Sequence, residues 1–227
     1  MADDETRALP PRRPWERPAP AAARAADPQW DLVVGGLASQ HVPLLAEVVA
    51  AAARLEGYTV QYWLDLSEAR LHGGVRAHVR VGPAASPKVP RGCASLLVGL
   101  ETGEARRLAR YLAPGGAAIV PVHAWPTLDA KLGRSRYPDA ERLAQELSAL
   151  AKRVVTLDLA RLGAEGAAPE PPPPGAEALV ALGAITALTH VVDRESVVRA
   201  VRDRMGKAAD VAVEACLAGY RAVAGDE

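Results

Sequence analysis

The sequence predicts an α/β fold with three layers, a mostly parallel sheet carrying helices on both faces, followed by a helical C-terminal extension. Three observations carry that prediction. From Trp30 onward, short apolar runs alternate with longer helical stretches, the pattern of strands joined by helical crossovers. The first such run, Leu32-Val33-Val34, stops at Gly35-Gly36 just ahead of an Ala-rich helix. Hydrophobic residues make up 49% of the 227-residue chain, but aromatic ones only 4%, and Phe is absent. A core of Ala, Val and Leu suits close helix–sheet packing.

Residues 1–29 are rich in Pro, Ala, Arg and acid and show no periodicity, so they read as a disordered or partner-draped tail, with Pro14-Trp15 as its candidate anchor. Residues 30–162 form the α/β domain. Leu32–Val34 is its first buried strand, and Val42–Glu56 a helix with Pro43 in the first turn, where a missing N–H is harmless. Tyr58–Trp63 is rich in β-branched and aromatic residues and reads as a strand. Gly73-Gly74 breaks the chain before Val75–Val81, whose alternation predicts one buried and one polar face.

Ser95–Gly99 follows as a buried strand. Glu101–Leu112 reads as a helix stopped by Pro114-Gly115-Gly116, and Ala117–Val120 as another strand. Asp139–Lys152 is an amphipathic helix and Val154–Leu157 the last strand. Residues 163–175, with Pro169-Glu170 and the four prolines 171–174, read as an extended spacer. Residues 176–227 are the helical extension on the same domain, with helices at Ala176–Thr189, Arg194–Met205 and Ala208–Ala224.

Charge and composition exclude several functions. Lys and Arg together number 27, as do Asp and Glu, so no field gathers a polyanion and nucleic-acid binding is not expected. Two cysteines, Cys93 and Cys216, cannot build a four-thiolate cluster, and both read as reduced core residues. No apolar stretch approaches the ~18 residues of a membrane span. No hydrophobic signal region opens the chain, which predicts a cytoplasmic protein. No Ser/His/Asp arrangement, HExxH pair, Walker loop or CxxC motif occurs.

The candidate site residues cluster around the glycines. Gly36, Ser39 and Gln40 fall where a strand's carboxyl end meets a helix N-terminus, a place that favours anions. The alternative for Ser39 or Gln40 is to cap that helix. His41 carries an imidazole that could pair with an anion or act as an acid or base, or it is a polar surface residue. His72 precedes Gly73-Gly74, a pair that lets the backbone approach a ligand or another chain. Arg76 and Arg80 flank His78 as a candidate basic strip, and Arg134 and Arg136 form a second basic stretch.

Several motifs fall in one order: the Gly36-x-x-x-Gln40 turn, Gly73-Gly74 followed by His78-Val79-Arg80-Val81-Gly82, Leu112-x-Pro114-Gly115-Gly116, Tyr137-Pro138, and Gly219-Tyr220. In this order the chain resembles the gamma-type subunits of thiamine-diphosphate-dependent 2-oxoacid:acceptor oxidoreductases, and most of all the small subunits of indolepyruvate:ferredoxin oxidoreductases. The likeness runs from about Asp31 to Ala222. Family members carry glycines where Ala38, Ser39 and His41 stand here, and His72 takes the place of a family Arg.

The resemblance implies a Rossmann-like fold and an accessory role. Cofactor-binding contacts would fall on Gly36, Ser39, Gln40, His41, His72, Gly73 and Gly74, with no catalytic or metal-binding residue on the chain. A large partner subunit would hold thiamine diphosphate and iron–sulfur clusters, decarboxylate a 2-oxoacid, pass electrons to ferredoxin or another acceptor, and deliver the acyl group to coenzyme A. The alternative is a non-catalytic nucleotide- or flavin-binding or regulatory module on the same fold.

Overall fold

A computed structural model describes residues 29–66, 74–122, 126, 131–134 and 136–225. Residues 1–28, His72 and Gly73 therefore lie outside the described residues, and with them the tail, its Trp15 anchor and two of the candidate site positions.

The strands are β1 (Trp30–Leu37), β2 (Val60–Asp65), β3 (Gly74–Val81), β4 (Ala94–Gly99), β5 (Leu112–Pro121) and β6 (Arg153–Leu157). The helices are α1 (Val42–Leu55), α2 (Thr102–Leu108), α3 (Ala140–Ser148), α4 (Leu159–Ala167), α5 (Ala176–Thr189), α6 (Arg194–Met205) and α7 (Ala209–Ala224). The strands form one six-stranded sheet in the order β2-β3-β1-β4-β5-β6. β1, β4, β5 and β6 pair in parallel, and β3 runs antiparallel to both β1 and β2. Among the described residues β3 is thus the one reversed strand of a mostly parallel sheet.

Strand alternation divides the core. Leu32 and Val34 of β1 face α1, α5, α6 and α7, whereas Val33 faces α2 and α3. The C-terminal helices therefore share a core with the first strand. α5 and α7 pack at very short range because both carry glycine at the contact. A Cβ on Gly219 would fall 1.9 Å from the Val180 carbonyl oxygen, and one on Gly183 would fall 1.7 Å from that of Cys216. The Gly219-Tyr220 motif is thereby explained: Gly219 admits α5, while the Tyr220 ring lies 5.2 Å beneath the Arg194 guanidinium.

Five local expectations are corrected. α2 ends at Leu108, not Leu112. A 3-10 turn over Ala109–Tyr111 follows, and Leu112 opens β5 because its side chain is needed in the core. Pro114-Gly115-Gly116 then lies inside β5, where the β4 register shifts between Ala94 and Leu96 and Gly115 takes φ +77°. The expected spacer is helical up to Ala167: Asp158 caps α4 by accepting the Arg161 N–H at 3.0 Å, and the glycines that masked the helix, Gly163 and Gly166, touch Ala176 and Ala218.

His78 is buried instead of lying on a polar face, covered by the chain that follows β3. Cys93 is exposed, whereas Cys216 is in the core, where burial pushes its thiol pKa up to about 12. None of the helices among the described residues is long and apolar enough to cross a membrane.

Candidate functional site

The chain leaves β1 through α1 on one face of the sheet and leaves β4 through α2 on the other. The carboxyl ends of β1 and β4 therefore flank the point where connections diverge, the usual ligand crevice of such sheets. Here that crevice is occupied by the protein's own side chain. Gln40 ends the 3-10 turn Ala38–Gln40 and turns inward, 6% exposed. Its Oε1 accepts the Leu37 N–H at 2.9 Å, and its Nε2 donates to the Leu100 carbonyl at 2.6 Å and to Glu177 Oε2 at 2.7 Å. One amide thus ties the ends of β1 and β4 to the first turn of α5.

Gly36 permits this arrangement. A Cβ there would lie 2.9 Å from Gln40 Oε1 and 2.9 Å from Leu100 Cβ. His41 takes a left-handed conformation at φ 55° and starts α1, leaving its ring exposed. Ser39 is exposed as well, and it lines a cavity of about 400 Å³ with Gln40, Ala160, Pro172, Gly175 and Glu177. The turn does not fit a pyrophosphate cradle. Gly35 and Gly36 are strand residues, Gln40 fills the crevice, and the neighbouring helix start carries the Glu177 carboxylate, which opposes an anion. Ala38, Ser39 and His41 are the parts of the turn that face outward.

The other described candidate, Gly74, lies at the same edge beside two acids that sequence reasoning missed. Glu101 and Glu104 are 3% and 2% exposed. Glu101 caps α2, its Oε2 accepting the Glu104 N–H at 2.8 Å. Glu104 pairs with Arg107, and a Cβ on Gly74 would fall 2.4 Å from Glu104 Oε2. Burial raises the Glu104 pKa, Arg107 counters it, and the Glu101 charge adds to the rise. The Glu-x-x-Glu spacing at a helix start was the available signal, but spacing alone does not distinguish a solvated first turn from a buried one.

The expected basic strip is largely neutralised. Arg80 makes a two-pronged pair with the buried Asp31, at 2.7 and 3.0 Å, and Arg76 pairs with Asp65 at 3.2 Å. Between them His78 accepts the Val89 N–H on Nδ1 at 3.0 Å, and its ring meets Trp63 and Tyr111 edge-on. Burial, joined by the charges of Arg76 and Lys88, lowers the His78 pKa to about 4. His78 therefore orients the segment after β3. Arg136 is exposed beside Tyr137, Arg106 and Arg142, and the last two both bind Glu146. Among the described residues no group of three or more His, Cys, Asp or Glu side chains is placed to hold a metal ion.

Comparison with known proteins gives this geometry a context. An indolepyruvate oxidoreductase subunit IorB of Archaeoglobus fulgidus is 26% identical over 132 residues, a match covering 58% of this chain and 66% of that relative. The keto/oxoacid ferredoxin oxidoreductase gamma subunit of Geobacter sulfurreducens superposes with a TM-score of 0.61 at 20% identity, covering 86% of this chain and 98% of that one. The 2-oxoglutarate:ferredoxin oxidoreductase of Magnetococcus marinus, solved with 2-oxoglutarate, coenzyme A and succinyl-CoA, gives a TM-score of 0.62 at 16% identity, covering 88% of this chain and 32% of that longer one. The model for pyruvate ferredoxin/flavodoxin oxidoreductases matches residues 31–222, from the first strand to the last turns of α7, so the chain belongs to that family and shares the fold of its gamma subunits.

Proposed function

We propose that this chain is the small, gamma-type subunit of a 2-oxoacid:ferredoxin oxidoreductase of the indolepyruvate type, and that it completes the active-site region of a larger subunit without performing chemistry itself. The family match over residues 31–222 carries the reading, and the likeness to an indolepyruvate oxidoreductase subunit supports the choice of arylpyruvate substrate. The large subunit holds thiamine diphosphate and iron–sulfur clusters, and coenzyme A takes the acyl group. The present chain meets that assembly with its carboxyl edge, where Ser39 and His41 face outward from a frame set by Gly36 and Gln40, and where Gly74 lies buried against Glu104. His72 and Gly73, next to Gly74 in the sequence, belong to the same proposed contact.

The closed crevice supports an assembly role over an independent nucleotide site. The test is to purify the chain alone and with a co-expressed large thiamine-diphosphate subunit. Stable copurification together with indolepyruvate-dependent, coenzyme-A-dependent dye reduction is the expected result. Tight binding of a nucleotide or flavin by the isolated chain, with no partner retained, would replace this reading with that of a stand-alone binding module.

A further inference from the structure

Two carboxylates buried three residues apart need a compensating arrangement, because an unpaired charge removed from water is costly. Glu101 and Glu104 have only a partial one. Glu101 Oε2 accepts the Glu104 N–H, but Glu101 Oε1 is buried without a hydrogen-bond partner. Glu104 is tied to Arg107, whose side chain is 63% exposed and so weakly able to neutralise a buried charge.

The surroundings add little. α2 packs on β1, β4, β5 and the 3-10 turn after it. β4 and β5 carry no titratable side chain, and β1 carries only Asp31, at the far end and committed to Arg80. The turn contributes Arg110, which lies over the Tyr111 ring. β3 contributes Arg76, already shared with Asp65. On its remaining side the Glu104 carboxyl presses against Gly74, in space that any larger residue at 74 would take.

We propose that Glu101 and Glu104 act as a one-proton carboxyl pair, a pH-sensitive latch seating the start of α2 against the Gly74 end of β3. A single proton removes one of two buried charges and supplies the cluster with an O–H donor, which Glu101 Oε1 otherwise lacks. Once the proton leaves, repulsion between the two acids drives the Glu104 carboxylate, still paired with Arg107, outward to solvent. The space beside Gly74 opens, and the Glu104 N–H loses its cap. The raised Glu104 pKa sets the sign. With the folded value above the unfolded 4.5, the latch is fully closed below pH 4.5 and released as pH rises through the folded value.

The test uses the full chain with carbon-13-labelled glutamate. In the wild type the Glu104 side-chain carboxyl should titrate above the ordinary carboxylate range, and Glu101→Gln should move that midpoint down. The unfolding midpoint of Glu104→Gln minus that of the wild type should grow from pH 4.5 to pH 8. Hydrogen exchange at the Glu104 amide should accelerate with pH beyond its intrinsic base dependence. A Glu104 carboxyl titrating in the ordinary range, or one unmoved by Glu101→Gln, overturns the proposal. If either variant fails to fold, the wild-type titration and exchange profile decide alone.

Discussion

Gln40 Nε2 stands 2.7 Å from Glu177 Oε2, so a side chain of the first turn grips the first turn of α5 through a residue 137 positions later. The same nitrogen holds the Leu100 carbonyl. Gln40→Ala strands the Leu37 N–H and the Leu100 carbonyl at a buried junction, at a cost of about 1–3 kcal/mol. Chemical denaturation of the isolated chain reads this directly. Unchanged stability would mean that the amide merely fills space.

Exposed neighbours on the same turn should behave differently. Ser39 and His41 face away from the core, so Ser39→Trp should leave the stability of the isolated chain unchanged while reducing recovery of the large subunit in co-purification. Undiminished recovery would move the docking face off this edge.

Gly219 should tolerate almost nothing. Even Gly219→Ala puts a methyl where the Val180 carbonyl oxygen stands, and separating α5 from α7 disturbs the core they share with β1. A loss of about 1–3 kcal/mol is expected for Ala, and loss of soluble protein for Val. Normal thermal stability of Gly219→Ala would show that the two helices can slide apart freely.

His78 gives the fold an acid limit. Its folded-state pKa of about 4 lies below the ordinary 6.5, so the unfolded chain takes up the proton first. Stability is therefore full above pH 6.5 and falls as pH drops toward 4, by about 3 kcal/mol if the whole shift is expressed. Protonation also removes the acceptor used by the Val89 N–H. His78→Leu should flatten the unfolding profile in this window. A profile identical to that of the wild type would assign the acid sensitivity elsewhere.

Local sequence signals located much of this architecture. α5 and α6 occupy the spans expected from Gly175 before one helix and Asp193 before the other. α4 escaped notice because Gly163 and Gly166 are poor helix formers in isolation, and their value appears only against Ala176 and Ala218. α2 ended early because Leu112 was needed in the strand. At the candidate site, the sequence identified the turn but not the direction of its side chains. Gln40 points inward on account of Glu177 and Leu100, partners too distant for any spacing rule to supply. Glu101 and Glu104 are hidden for a related reason: what makes them unusual is the cover provided by β1, β3 and β4, none of which adjoins them in sequence except β4.

The unequal fates of the two cysteines make the molecule its own reporter. A maleimide dye or cross-linker applied to the folded chain will find Cys93 and be refused by Cys216. Cys93 immediately precedes β4 and so stands at the amino end of the sheet, opposite the turn that holds Ser39. A fluorophore attached there would leave the carboxyl edge unobstructed, allowing assembly to be followed by anisotropy without engineering a single residue.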